Sequence, residues 1–181
     1  MAVSQTKPVY GLLGRKLGHS YSPRIHAMLG DYEYRLHEVE PDDVAAFIRE
    51  GDFTGLNVTM PYKETVMDLC DKLTDAAKKI GNVNTIVRRE DGTLLGDNTD
   101  YYGFSHLLNV GHMNVTDRKV VVLGTGGAAK TVHAVLTDRG ASDDLAYGRE
   151  QLRKHRTALR CAFHREHNAR GHVSQLPRFP Y

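Results

Sequence analysis

A lysine and an aspartate, Lys63 and Asp100, are the residues in this chain best placed to do chemistry together. The stretch Asn57-Val58-Thr59-Met60-Pro61-Tyr62-Lys63 sets the lysine just past a short apolar run, and Asn98-Thr99-Asp100 supplies the carboxylate. An ammonium beside a reacting oxygen stabilises negative charge that develops there and can supply a proton, while the carboxylate orients the same group. Taken singly, Lys63 reads as a solvated lysine in a first helical turn. Its position after a strand separates the two readings, because ligands of open α/β sheets bind outside the carboxyl ends of the strands.

The elements that would hold this pair can be read from the pattern. Val9 to Gly14 reads as a buried first strand, followed by a turn into a helix with Ser22 as N-cap and Pro23 at the first helical position. Tyr34 to Val39 alternates as a second strand, Pro41 to Glu50 carries Val44, Phe47 and Ile48 on one helical face, and Gly55 to Thr59 is the third strand. Pro61 is expected to open a helix that holds Lys63. Leu73 to Ile80 reads as helical, and Asn84 to Arg88 and Thr93 to Gly96 form a hairpin about Glu90-Asp91-Gly92 at the sheet edge. Asp100 begins a helix that ends at Gly111. Repeated strand and helix units imply right-handed crossovers and a mostly parallel sheet with both faces covered.

A second unit begins at Lys119 to Leu123, an apolar strand running into Gly124-Thr125-Gly126-Gly127-Ala128-Ala129 and a helix to Leu136. Glycines there let a backbone approach a phosphate, and the free N–H groups of a helix N-terminus attract the anion. A purely structural glycine turn is the competing reading. Past Gly140 no comparable apolar strand and helix alternation is evident.

Composition narrows the class. The 181 residues are 40% hydrophobic and 25% charged with a net charge of +2, ordinary for a globular protein. No leader-like segment or membrane-spanning run is evident, and the chain reads as soluble and cytoplasmic. Cys70 and Cys161 have no ligand spacing around them, so neither a disulfide framework nor a metal site is expected. Residues 1–144 carry 16 basic and 20 acidic side chains, whereas 145–181 carry 8 and 2. That basic tail lacks the aromatic interleaving of a nucleic-acid module, so no nucleic-acid partner is expected.

Five ordered motifs make the chain similar to the shikimate dehydrogenase family. They are Gly18-His19-Ser20-x-Ser22-Pro23, Asn57-Val58-Thr59-x-Pro61-x-Lys63, Gly81-x-x-Asn84-Thr85, Gly96-x-Asn98-Thr99-Asp100-x-x-Gly103 and Gly124-x-Gly126-Gly127-Ala128. The resemblance covers about residues 8 to 142 and implies NADP-dependent reduction of 3-dehydroshikimate to shikimate, on the route to chorismate and the aromatic amino acids. It implies an α/β fold in which residues 1–112 are a mostly parallel-sheet substrate-binding domain. Residues 113–143 would then be the first βα unit of a Rossmann-like NADP-binding domain, and 144–181 a disordered basic tail. It further implies Ser20 and Ser22 as carboxylate ligands, Thr59, Asn84 and Asp100 as hydroxyl ligands, and Lys63 and Asp100 as the catalytic pair. Lys63 reads as a fixed charge rather than a free-amine base. Gly124, Gly126, Gly127 and Ala128 would seat the cofactor, although half of a dinucleotide fold is expected to hold NADP weakly or not at all. Arg149 lies near where the family places an arginine for the 2′-phosphate but lacks the family's surrounding pattern. His19 and His26 read as packing or hydrogen-bonded residues. A substrate-binding chain without activity and a quinate dehydrogenase using NAD remain open alternatives.

The tail carries one further expectation. Shifted by a base, permitted codons for His164 to Leu176 can spell I-V-N-T-T-P-V-G-M-Y-P-N, which contains the family's downstream motif N-T-T-P-x-G-M. From about Asp144 to Glu150 onward the chain is therefore expected to be read out of the family's frame, leaving activity impaired. A basic appendage of independent origin is the competing reading.

Overall fold

The computed structural model describes residues 8–147. In chain order the elements are β1 (Val9–Gly14), α1 (Ser22–Leu29), β2 (Glu33–Glu38), α2 (Val44–Glu50), β3 (Gly55–Val58), β4 (Lys72–Leu73), α3 (Asp75–Ile80), β5 (Thr85–Arg88), β6 (Leu94–Asp97) and α4 (Asp100–Val110). A second unit follows as β7 (Lys119–Leu123), α5 (Gly127–Asp138) and β8 (Asp143–Tyr147). The first six strands form one sheet in the order β2-β1-β3-β5-β6-β4, and β7 and β8 pair separately and in parallel. β1 runs parallel to β2 and β3, β5 runs antiparallel to β3 and β6, and β4 runs parallel to β6. The result is the mixed, mostly parallel α/β sheet that the pattern predicts.

The core lies on one face. Leu13, Leu56, Val58 and Ile86 project from neighbouring strands onto Val44 and Ile48 of α2, and all six are almost wholly buried. The opposite face carries Tyr10, Tyr34, Leu36 and Val87, and above it α1 buries none of its own residues. The expectation that both faces are covered therefore fails among the described residues: Ile25, Met28 and Leu29 of α1 are exposed.

Several local expectations are also corrected. Ser22 is the first helical residue and Tyr21 the N-cap, with Ser20 Oγ accepting the Ser22 N–H at 3.2 Å. Pro61 follows a cis peptide and starts no helix; the Tyr62 N–H returns to the Thr59 carbonyl, so the chain reverses there, and a 3-10 turn forms only at Thr65–Leu69. Leu73 is a strand residue, because Thr74 caps α3 by accepting the Ala77 N–H and its own hydroxyl is tied to Asp97. The β5–β6 hairpin is not at the sheet edge, since β4 lies outside it. Past Gly140 the α/β alternation continues for one strand: β8 pairs with β7 through Tyr147, beyond the limit of 143 expected for this unit. The remainder of the expected disordered tail lies outside the described residues.

His37 gives a pH test of the core. Its ring packs beside Phe47, its Nε2 is buried with no hydrogen-bond partner among the described residues, and burial followed by the Arg35 charge holds it below the ordinary value of 6.5. The unfolded chain then takes up a proton more readily than the folded one, so stability is complete above 6.5 and falls as pH drops through the lower folded value. Between 6.5 and about pH 5, above the carboxylate range, the urea midpoint of His37→Leu should fall less than that of the native chain. Parallel midpoint curves would remove His37 from the acid response.

Candidate active site

All the catalytic and substrate-site candidates collect at one edge of the six-stranded sheet, for a topological reason. β6 is antiparallel to β5, which is antiparallel to β3, so the carboxyl ends of β1, β3 and β6 and the amino end of β5 point the same way. Ser20 follows β1, Thr59 and Lys63 follow β3, Asn84 precedes β5 and Asp100 follows β6.

Within that edge the structure joins Lys63 to Asp100 directly, the ammonium donating to Asp100 Oδ2 at 2.8 Å. The lysine side chain is 20% exposed and the aspartate 46%. An ion pair this open contributes little to stability, and a lysine stem mostly covered with its head at an open edge is suited to meeting a ligand. Asn84 fixes the aspartate's turn: its Oδ1 accepts from the Thr99 N–H at 2.8 Å and from the Thr99 hydroxyl at 3.2 Å. Its expected role as a hydroxyl ligand is thus joined by a supporting one that sequence did not reveal.

Ser20, Ser22 and Thr59 meet elsewhere on the edge, lining a cavity of about 400 Å³ with Lys16, His19 and the apolar floor of Leu12 and Leu17. Hydroxyls and a lysine around an apolar floor can take a small carboxylate bearing an apolar ring. Lys16 went unnoticed in the sequence because nothing in its spacing distinguishes it from a surface lysine. Asp100 borders a second cavity of about 580 Å³ between α4 and α5, lined also by Thr99, Phe104, Ala128 and Thr131. The catalytic candidate Asp100 and the cofactor candidate Ala128 therefore share a crevice.

The residues of the glycine turn fit a phosphate-bearing cofactor. Gly124 has φ 138°, a conformation only glycine adopts readily, and a Cβ on Gly124 or Gly126 would meet nothing within 4 Å. Among the described residues no side chain caps α5 at Gly126, so its first-turn N–H groups could take an anion. Salt bridges tie α5 to the sheet unit: Lys130 to Glu64 at 2.6 Å, and Lys79 to Asp138, whose other oxygen accepts the Tyr101 hydroxyl. The Lys79 and Tyr101 hydrogen bonds hold the Asp138 carboxyl below the usual range.

The remaining candidates are structural. His26 stacks on Tyr34 with ring centroids 3.7 Å apart, and its Nδ1 meets the Tyr32 hydroxyl at 2.8 Å. The Cys70 thiol bonds the Val66 carbonyl, and burial pushes its pKa up to about 11, which makes it a poor nucleophile. Among the described residues no group of side chains could hold a metal ion, and no helix is long and apolar enough to cross a membrane. Arg149 lies outside the described residues.

Residues 12–86 match the family model of the shikimate dehydrogenase substrate binding domain. The chain is 47% identical over 139 residues to the shikimate dehydrogenase (NADP(+)) of Clostridium beijerinckii, covering 72% of this chain and 51% of that protein. It is 38% identical to that of Oleidesulfovibrio alaskensis, covering 90% of this chain and 62% of the relative. The solved shikimate 5-dehydrogenase of Thermus thermophilus in complex with NADP(H) and shikimate superposes with a TM-score of 0.69 at 30% identity, covering 78% of this chain and 56% of that one. The chain thus spans between 51% and 62% of the length of these curated relatives. With the family model matched over residues 12–86 and these relatives aligned over most of the chain, the sheet unit belongs to the substrate-binding domain of the shikimate dehydrogenase family.

Proposed function

We propose that residues 8–147 supply the shikimate pocket and the catalytic pair of an NADP-linked oxidoreductase that interconverts 3-dehydroshikimate and shikimate. The observation that carries the reading is the 2.8 Å contact of Lys63 with Asp100 on the sheet edge that also bears Ser20, Ser22 and Thr59. In this reading the Ser20 and Ser22 hydroxyls hold the carboxylate of the substrate, and Thr59 and Asn84 orient its ring hydroxyls. Lys63 lies against the oxygen that changes between ketone and alcohol; its charge stabilises the oxyanion that develops and its N–H supplies the proton. Asp100 keeps the ammonium in place and accepts from the same hydroxyl. Gly124, Gly126, Gly127 and Ala128 would hold the phosphates of NADP, whose nicotinamide supplies hydride chemistry when bound.

The test is calorimetric titration of the chain with shikimate, followed by absorbance of the reduced nicotinamide with shikimate and NADP. Saturable shikimate binding with turnover supports the whole reading. Preference for quinate with NAD would move the substrate assignment, and absence of shikimate binding would end it.

A second reading, shikimate binding without turnover, is favoured by the reframing of the tail. If His164 to Leu176 is the family's N-T-T-P-V-G-M segment read one base out of frame, the cofactor unit is left incomplete, and NADP affinity and activity are weak or absent. The strand β8, which continues the alternation through Tyr147, supports a shift after that residue. The Oleidesulfovibrio match, which spans 90% of this chain, extends past Tyr147 and offers the contrary view of a related tail. Sequencing the encoding DNA through this junction decides: a neighbouring frame lacking N-T-T-P-V-G-M ends the reframing idea.

Ser22→Ala is expected to weaken shikimate binding roughly tenfold, since a hydrogen bond to a charged group is worth about 1.5–3 kcal/mol. Ser22 is not the helix cap, and the loss of its side-chain hydrogen bond to Tyr34 should cost no more than about 1 kcal/mol of stability. Unchanged affinity in the titration would remove Ser22 from the carboxylate site.

A further inference from the structure

Two asparagine side chains at the seam between the sheet unit and α5 are wholly buried: Asn82 and Asn98 are both 0% exposed. Asn98 Nδ2 donates to Asn82 Oδ1 at 2.7 Å and to the Asn82 carbonyl at 3.3 Å. The backbone carbonyl can only accept, so it fixes the orientation of the Asn98 amide, and that in turn fixes Asn82 with its oxygen toward Asn98. Asn82 Nδ2 and Asn98 Oδ1 are then left without partners among the described residues. A buried amide with one end unsatisfied is costly, and Ala77 and Val83, as deeply buried, show that the surrounding core takes apolar side chains.

What the pair connects explains its presence. The Val83 N–H, next to Asn82, donates to the Lys63 carbonyl at 2.7 Å, and the Asn84 N–H donates to the Asp97 carbonyl at 3.0 Å. The segment 82–84 therefore lies between the backbone that carries Lys63 and the turn that delivers Asp100. Asn84 grips that turn at Thr99 and Asn82 grips it at Asn98, so two asparagines two residues apart hold two consecutive residues just before Asp100. The unpartnered edge of Asn82 faces α5: a Cβ built on Gly127 would stand 3.5 Å from Asn82 Nδ2 and 3.8 Å from Lys63 Cδ.

We infer that Asn82 is a positioning residue for the catalytic pair, setting the Asp100 turn against Lys63 through Asn98 while touching neither substrate nor reacting atoms. The inference deepens the proposed function and rests on it for the meaning of the pair, though not for the placement of the turn. Without the Asn82 oxygen, Asn98 keeps only the longer bond to a backbone carbonyl, and of the two asparagine side chains that grip the turn only Asn84, at Thr99, still does.

Amide hydrogen exchange and shikimate titration on the full chain and two variants test this. In Asn82→Ala the Thr99 amide should exchange about tenfold faster, the factor for one ordinary hydrogen bond, and shikimate should bind about tenfold more weakly, with the amides of β1 and β3 unaffected. Asn82→Asp keeps an oxygen for Asn98 to donate to and should restore slow exchange at Thr99, which also guards against the alanine variant failing to fold. Unchanged Thr99 exchange in Asn82→Ala, equal acceleration across β1, β3 and Thr99, or an Asp variant as fast as the Ala variant would each overturn the inference. Should the native chain bind no shikimate, the functional reading fails alone, and the exchange data still decide the placement.

Discussion

Lys63→Ala should lower kcat at least roughly a hundredfold while changing KM far less, the pattern for a group that stabilises the charge developing in a transition state. The geometry gives the reason. Lys63 is already paired with Asp100 at 2.8 Å before any ligand arrives, so its position needs no rearrangement when an oxyanion forms. A ground-state alcohol or ketone is neutral and gains little from the ammonium, whereas the oxyanion gains a full charge interaction in a partly enclosed site. Removing the side chain also releases Asp100, and Lys63→Arg separates the two losses: it keeps the charge but replaces a compact ammonium by a broad planar group. Partial recovery in Lys63→Arg would assign most of the effect to charge. The measurement is steady-state oxidation of shikimate with NADP, in this chain or in its frame-restored form, whichever turns over. A rise in KM with kcat unchanged would reduce Lys63 to a binding residue and sink the catalytic assignment.

Much of this site was legible because its residues sit where strands end, and strand ends are marked by residue type. Val58-Thr59 before Pro61, Asn84 before an apolar run and Asp100 before a helical one are boundary signals as well as chemical ones, so placing the strands placed Lys63 and Asp100 together. The errors came where a tertiary contact outweighed a local preference. Serine before proline reads as an N-cap, but the Ser20 hydroxyl already takes the Ser22 N–H, and the helix begins one residue earlier. Proline reads as a helix opener, yet the Tyr62 N–H reaches back to Thr59 and makes a turn instead. Leu73 shares a helical face with Ala76, Ala77 and Ile80, and only its pairing beside Gly96 shows it to be a strand residue. β8 was missed because Asp143-Asp144 breaks the apolar pattern, so nothing before its register with β7 announces a strand. The Asn82–Asn98 pair was out of reach as well. Asparagines 16 residues apart have no periodic relation, and their contact exists only once β5 and β6 are side by side.

The largest stability effect is expected at Ile86, where the two faces of the sheet can be set against each other. Ile86 is wholly buried on β5 between Leu56 of β3 and Gly96 of β6, on the face that packs against α2, whereas its neighbour Val87 projects to the other face and is 42% exposed. Ile86→Ala removes three carbons from a closed site. The Gly96 backbone beside it is held by Leu73, Cys70 and Val83, within 3 Å of where a Cβ would stand, so the surroundings have little room to collapse into the space. The cost should be about 3–4 kcal/mol, in the upper half of the range for such truncations, against a total stability of roughly 5–15 kcal/mol for a domain. Val87→Ala deletes two carbons from a half-open face and should cost less than about 1 kcal/mol. Urea midpoints of the two variants give the ratio. A several-fold difference means the fold stands on one buried face, with Asn84 and Thr99 carried by the strands that bury it. Comparable costs would mean that Val87 is covered in solution and that α1 is not the whole of what lies over the second face.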